Sequence, residues 1–226
     1  MNRRNFIRVA GGGIVMAAQA AWAQPAVASE FPSDTVVAWQ GPGAGSRGDP
    51  RRLALAYAIL APNPHNLQPW LVDLREPGVI ALYCDRQRLL PQTDPMGRQI
   101  LIGHGAFLEL LVQALAQQGL SAQVQLFPQG ELPIALKSWD DRLVARVTVG
   151  GAGSAKPDPL FAHVLQRHTP KVDFDTTRAV SEASLQGLVA SGAMPSVSSG
   201  GTVSVALRDA LRRLCWASAK VELLTP

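Results

Sequence analysis

The sequence predicts an α+β protein, and three patterns carry that reading. Residues 71–85, LVDLREPGVIALYCD, alternate apolar and polar side chains on either side of Glu76-Pro77-Gly78, the signature of a β-hairpin. Residues 98–119, RQILIGHGAFLELLVQALAQQG, form the longest helical pattern, with apolar side chains all round its middle, and so predict a buried central helix. Two further strand-like runs, SAQVQLF and LVARVTV, follow it, and helical patterns then take over to the end of the chain. Together these favour an antiparallel-rich sheet flanked by helices, with one long helix at the centre.

The elements can be justified in order. Residues 1–23 contain Arg3, Arg4 and Arg8, no acidic residue, a short apolar run and an Ala21-Trp22-Ala23 end. A charged start, an apolar middle and an A-x-A end make a secretory signal. Arg3-Arg4-x-Phe6-Ile7 further resembles the twin-arginine type, which implies the twin-arginine export machinery as a partner and the periplasm as destination. An uncleaved anchor or a general secretory signal is the alternative, but the run falls short of the about 20 apolar residues a membrane span needs, so no stable membrane anchor is expected. Residues 24–48, rich in Pro, Gly, Ser and Ala, read as a flexible arm or linker around one apolar run at Thr35–Trp39. Asp49-Pro50 then opens the helix RRLALAYAILA, with Asp as its cap and Pro at its first position, and Pro62 ends it. A first unit is expected over residues 49–149, a Gly-rich joint over 150–158, and a second, helix-first unit over 159–226, with helices at Ser181–Ala190 and Ala206–Leu224. Within the long helix Gly103 and Gly105 cost about 1 kcal/mol each in helix propensity, so another helix or a flat ligand is expected to approach them closely.

Charge and motifs exclude several classes. The formal net charge is +4, and without the three leader arginines it falls to +1, so no clustered basic excess points to nucleic acid. There is no G-x-S-x-G, P-loop, H-E-x-x-H or C-x-x-C pattern. His65, His104, His163 and His168 show no ligand spacing with carboxylates or thiols, so no metal is expected. Gly43-x-Gly45-x-x-Gly48 matches a dinucleotide fingerprint, but Pro42 breaks into its turn and no acidic residue stands where a ribose partner belongs. Asp140-Asp141 read as a solvated turn. Cys84 and Cys215 have no framework spacing; an exported chain could pair them, but both read as buried thiols.

The remaining feature is Ala61–Trp70, APNPHNLQPW. Three prolines exclude helix interior and central strand. In an extended loop Asn66 and Gln68 share a side, and a stiff loop could offer their carboxamides to a planar ligand at low ordering cost. The plainer alternative is a connector whose amides cap a helix end.

This pattern, A-P-x-x-x-N-x-Q-P-W between a helix and a strand, resembles the flavin-contact loop of the nitroreductase family. That family's phosphate run resembles QRHTPKVDF here, with Arg167, His168, Thr169 and Lys171 followed by Phe174. Lys171 keeps the charge of the usual Arg but loses its bidentate fork. The loop preceding the phosphate run is similar to the fused, pseudo-dimeric branch, as is D-P-x-G-R at Asp94–Arg98. The resemblance spans roughly Asp49 to Pro226 and implies a nitroreductase-like fold. It implies FMN bound by Pro62, Asn63, His65, Asn66, Gln68, Arg98, Arg167, His168, Thr169 and Lys171, with no catalytic side chain. It further implies NAD(P)H as electron donor and a small nitro or quinone acceptor. The alternatives are an FMN-binding or sequestering protein without turnover, or a non-functional remnant. Because the chain stops at KVELLTP, the resemblance also implies a truncated second half, with exposed apolar surface open to self-association.

Overall fold

The computed structural model describes residues 33–153, 155–192 and 197–224. The 1–23 signal and the first part of the 24–48 arm lie outside the described residues. The chain divides into two compact units between Thr169 and Pro170.

The first unit is an α+β two-layer arrangement. Helix α1 (Pro50–Ala58) starts as its sequence dictates: the Asp49 carboxylate accepts from Arg51 N at 2.9 Å, and Pro50 fills the first position. Arg51 then ties the helix to the hairpin, donating from Nη1 to the carbonyls of Leu74, Glu76 and Val79 at 2.8–3.1 Å. The hairpin is β1 (Trp70–Asp73) and β2 (Val79–Cys84), antiparallel, with Trp70 opposite Cys84. Helix α2 (Arg98–Ala116) leads into β3 (Leu120–Leu126) and β4 (Leu143–Ala152), and the sheet order is β1-β2-β4-β3 with every pairing antiparallel.

The core follows from the two periodicities. Ala54 and Ala58 of α1 and Phe107, Leu111, Ala114 and Leu115 of α2 pack on Ile80, Leu82, Ala145 and Val147, which share one face of the sheet. The central helix is not buried all round, since Ile102 on the side away from the sheet is 72% exposed. A second cluster of Ile100, Leu136, Trp139 and Val144 anchors the start of α2. The D-P-x-G-R segment explains itself there. Asp94, buried, accepts from Ile100 N at 3.0 Å, while Gly97 sits at φ 66° with Trp139 packed where a Cβ would go.

Four expectations need correction. The first unit runs past the 150–158 segment, because β4 carries its pairing to Ala152, opposite Leu120. Pro159–Gln166, the expected opening helix of a second unit, is a 3-10 segment belonging to the first. Gly103 is crowded by the loop rather than by another helix, with Asn63 Cβ 3.2 Å and Pro64 Cδ 3.5 Å from where a Cβ would stand, and among the described residues no protein atom lies within 4 Å at Gly105. Cys84 is buried but Cys215 is exposed.

The second unit contains α3 (Glu182–Ser191), whose Ser181 cap accepts from Ser184 N at 3.1 Å, and α4 (Val205–Leu224). Neither helix has a buried residue, and Leu207, Leu211, Leu214, Trp216 and Val221 of α4 are exposed.

Candidate functional site

The site is the Ala61–Trp70 loop between α1 and β1. The prolines allow only a short 3-10 turn at Pro64–Asn66, with Asn66 N on Asn63 O and Leu67 N on Pro64 O. His65, Asn66 and Gln68 all take positive φ, at 52°, 53° and 50°. Non-glycine residues rarely adopt this region, and clusters of such strain mark functional sites. The loop is therefore not extended, so the expected alternation that puts Asn66 and Gln68 on one side does not hold, although His65, Asn66 and Gln68 are all exposed and Leu67 is half-buried.

Several bonds hold that shape. Asn63 spans the loop: its Nδ2 donates to Ala61 O at 3.1 Å and its Oδ1 accepts from Gln68 N at 2.8 Å. Arg88, paired with Asp85 at 3.2 Å, donates to Leu67 O at 3.2 Å, and Asp85 N donates to Pro69 O at 2.9 Å. Gly103 supplies the floor against which Asn63 and Pro64 rest. Pro62 is exposed and Pro69 fully buried, so the loop is pinned at its far end and open near its start.

Beneath it lies His104. Its Nδ1 hydrogen-bonds to Ile100 O at 2.9 Å, its ring meets Trp70 edge-on at 6.3 Å, and its Nε2 is buried without a hydrogen-bond partner among the described residues. Burial pushes its pKa below the ordinary histidine value, against the opposing pull of the Ile100, Tyr83 and Pro69 carbonyls. Cys84, opposite Trp70 in the sheet, is pushed up to about 12 by burial and by neighbouring Asp85, which makes it an inert thiol.

The predicted site residues divide. Asn66, Gln68 and His65 are each exposed on the loop. Asn63, predicted as a ligand contact, has its carboxamide spent on the loop. Arg167, predicted as a phosphate contact, donates from Nη2 to Leu60 O at 3.0 Å, so the run starts beside the loop's first residue. His168 bonds through Nδ1 to Gln166 O at 3.0 Å, and both it and Thr169 are exposed. Arg98 is exposed at the start of α2. Lys171 belongs to the second unit. Sequence reasoning missed Arg88, Asp85 and His104. A lone histidine on the apolar face of α2 was a usable signal, whereas nothing local marks Arg88 as a loop clamp. The Gly43–Gly48 pattern follows a 3-10 segment, Ser33–Gln40, rather than the strand a dinucleotide site requires.

No family model matches the chain. It is 39% identical over 97 residues to acg of Mycobacterium tuberculosis, a protein provisionally named as an NAD(P)H nitroreductase, a match covering 43% of this chain and 29% of that one. The likeness is to proteins named as nitroreductases. A second such M. tuberculosis protein is 38% identical over 77 residues, covering 34% of this chain and 22% of its own length. An uncharacterized protein of the same organism is 32% identical over 126 residues, covering 54% and 35%. The matches thus span about a third or less of these relatives' lengths. Among solved structures, a nitroreductase family protein of Streptococcus pneumoniae TIGR4 aligns at 18% identity and TM-score 0.31, covering 59% of this chain and 88% of that one. A provisionally named nitroreductase of Desulfovibrio desulfuricans, solved with FMN, aligns at 18% identity and TM-score 0.33, covering 57% and 88%.

Proposed function

We propose that the chain binds FMN at the Ala61–Trp70 loop and serves an oxidoreductase of nitroreductase type, with NAD(P)H as donor and a nitro or quinone compound as acceptor. The observation that carries this reading is the bonded, left-handed path that leaves both Asn66 and Gln68 exposed within three residues of each other. Each carboxamide offers both a donor and an acceptor, which suits the mixed edge of a planar heterocycle. The loop is already ordered, so little conformational entropy remains to be lost on binding. The identity to a provisionally named NAD(P)H nitroreductase supports the same reading.

The chemistry of the donor set fits FMN. His168 and Thr169, exposed just after the point where Arg167 reaches Leu60, supply an imidazole and a hydroxyl for phosphate oxygens. Pro62 stiffens the start of the loop, and Arg88 and Asn63 hold Asn66 and Gln68 in place. Bound FMN would supply the redox chemistry, which the protein serves by holding and orienting it.

Absorbance of the purified full chain tests the proposal. A flavin spectrum that NAD(P)H bleaches and a nitro acceptor restores is the expected result. A colourless protein that takes up no added FMN refutes it, and binding without bleaching leaves a flavin-holding protein without turnover. The leader supports a companion proposal of export by the twin-arginine route. Replacing Arg3 and Arg4 together by Lys should leave precursor in the cytoplasm; normal periplasmic delivery would refute it.

A further inference from the structure

Arg167 lies where three pieces of the first unit meet. Its backbone N–H donates to His163 O at 2.9 Å and closes the 3-10 segment Pro159–Gln166. Its Nη2 donates to Leu60 O at 3.0 Å, just beyond the end of α1 and one residue before the loop. Its guanidinium carbon sits 5.2 Å from the centre of the Trp39 ring, which places the Ser33–Gln40 segment on top of it. Leu165 reinforces the junction from beside it, 3.5 Å from where a Cβ at Gly41 would stand.

Each contact has a physical reason. Leu60 lies just past the cap of α1, where Leu55, Tyr57 and Ala58 already accept from Ile59, Leu60 and Ala61, so Arg167 satisfies the carbonyl of the following turn while placing a cation near the negative end of the helix. A flat guanidinium can do this while stacking on an aromatic face, which a lysine ammonium does less well. The remaining feature is a cost: Nε is buried and has no hydrogen-bond partner among the described residues. A donor closed off from solvent is reached by a ligand oxygen only if its surroundings move. Half-buried overall, the side chain is tied into the wall through its enclosed Nε and through Nη2 on Leu60 O.

We infer that Arg167 is a positioning residue, a latch that joins the Ser33–Gln40 segment to the turn that follows α1 and thereby fixes where the Ala61–Trp70 loop begins, rather than a ligand of a phosphate. Docking of the arm and geometry of the loop are then one coupled event. The binding consequence rests on the flavin reading above, while the latch itself stands on contacts within the first unit.

The test compares Arg167→Lys, Trp39→Leu and the double variant in the full chain. FMN and riboflavin affinities are read by flavin fluorescence, and amide hydrogen exchange is read along the chain. Each single change should weaken FMN and riboflavin by the same factor, roughly three- to tenfold for loss of one cation–π contact. The double variant should be little worse than either single one, because both remove the same latch. Amides of Leu60–Trp70 should exchange faster while those of β2 and β4 do not. Loss of FMN affinity in Arg167→Lys with riboflavin unchanged would make Arg167 a phosphate ligand and overturn the inference. Equal acceleration in β2 and β4 would reduce it to a general support of the fold and also overturn it. If the wild-type chain binds neither flavin, the flavin reading falls alone and exchange decides. Faster loop exchange in Trp39→Leu then upholds the latch, and unchanged exchange overturns it.

Discussion

Replacing Asn63 by alanine removes both hydrogen bonds that its carboxamide makes across the loop, to Ala61 O at 3.1 Å and from Gln68 N at 2.8 Å. Each such bond contributes about 1 kcal/mol net, so about 2 kcal/mol of local stabilisation is at stake. Opposing it is the strain of left-handed backbone at His65, Asn66 and Gln68, about 1 kcal/mol or more at each. Bonds and strain are therefore comparable, and the loop should relax when the bonds go. Global unfolding should barely respond, because Asn63 is only half-buried and lies outside the apolar core. Binding should respond more: a ligand that selects the ordered loop must then supply about 2 kcal/mol, roughly thirtyfold in affinity. The assay pairs hydrogen exchange at the Gln68 amide with FMN and riboflavin titrations of the Asn63→Ala chain. Faster exchange at Gln68 and a similar loss for both flavins are expected. An unchanged Gln68 amide together with unchanged affinity would refute the claim that Asn63 shapes the loop.

Two further outcomes follow from buried titratable groups. Burial lowers the pKa of His104 in the folded protein from 6.5, so the unfolded chain takes up its proton first and stability falls as pH drops below that value. Melting temperature should therefore decline from pH 7 to pH 5 more steeply in the wild-type chain than in His104→Leu, and equal slopes would contradict this assignment. With Cys84 held up to about 12 by burial and Cys215 exposed, a thiol reagent at neutral pH should label Cys215 rapidly and Cys84 only after denaturation. Rapid labelling of Cys84 in the native chain would contradict the packing described.

Elements with strong local signals were legible in the sequence. Asp49-Pro50, the Glu76-Pro77-Gly78 turn and the apolar spacing of Ile100, Phe107, Leu111 and Leu115 each determine structure within a few residues, and all appear as expected. The loop was legible as stiff and polar, because its prolines forbid anything regular. Its internal wiring was not. Asn63 and Asn66 carry the same side chain, and only the fold decides that one braces the loop while the other faces solvent. Arg167 shows the same limit at longer range, since its bond to Leu60 spans 107 residues and no local pattern announces it. Gly103 was recognised as a costly residue whose neighbour had to come close, but the neighbour is the loop. Gly150 and Gly151 suggest a joint in the sequence, whereas pairing with β3 carries the strand through them.

The central claim is that Asn66 and Gln68 present their carboxamides to a flavin. Titration of the full chain with FMN, beside the Asn66→Ala/Gln68→Ala double variant, tests it most directly. Both side chains are exposed and neither belongs to the apolar core, so the variant should melt within a few degrees of the wild-type chain. The wild-type chain should saturate at one FMN, and the double variant should bind at least tenfold more weakly, as expected for losing at least one good hydrogen bond to each carboxamide. Equal FMN affinity in two equally stable proteins would place the flavin elsewhere, or nowhere, on this chain.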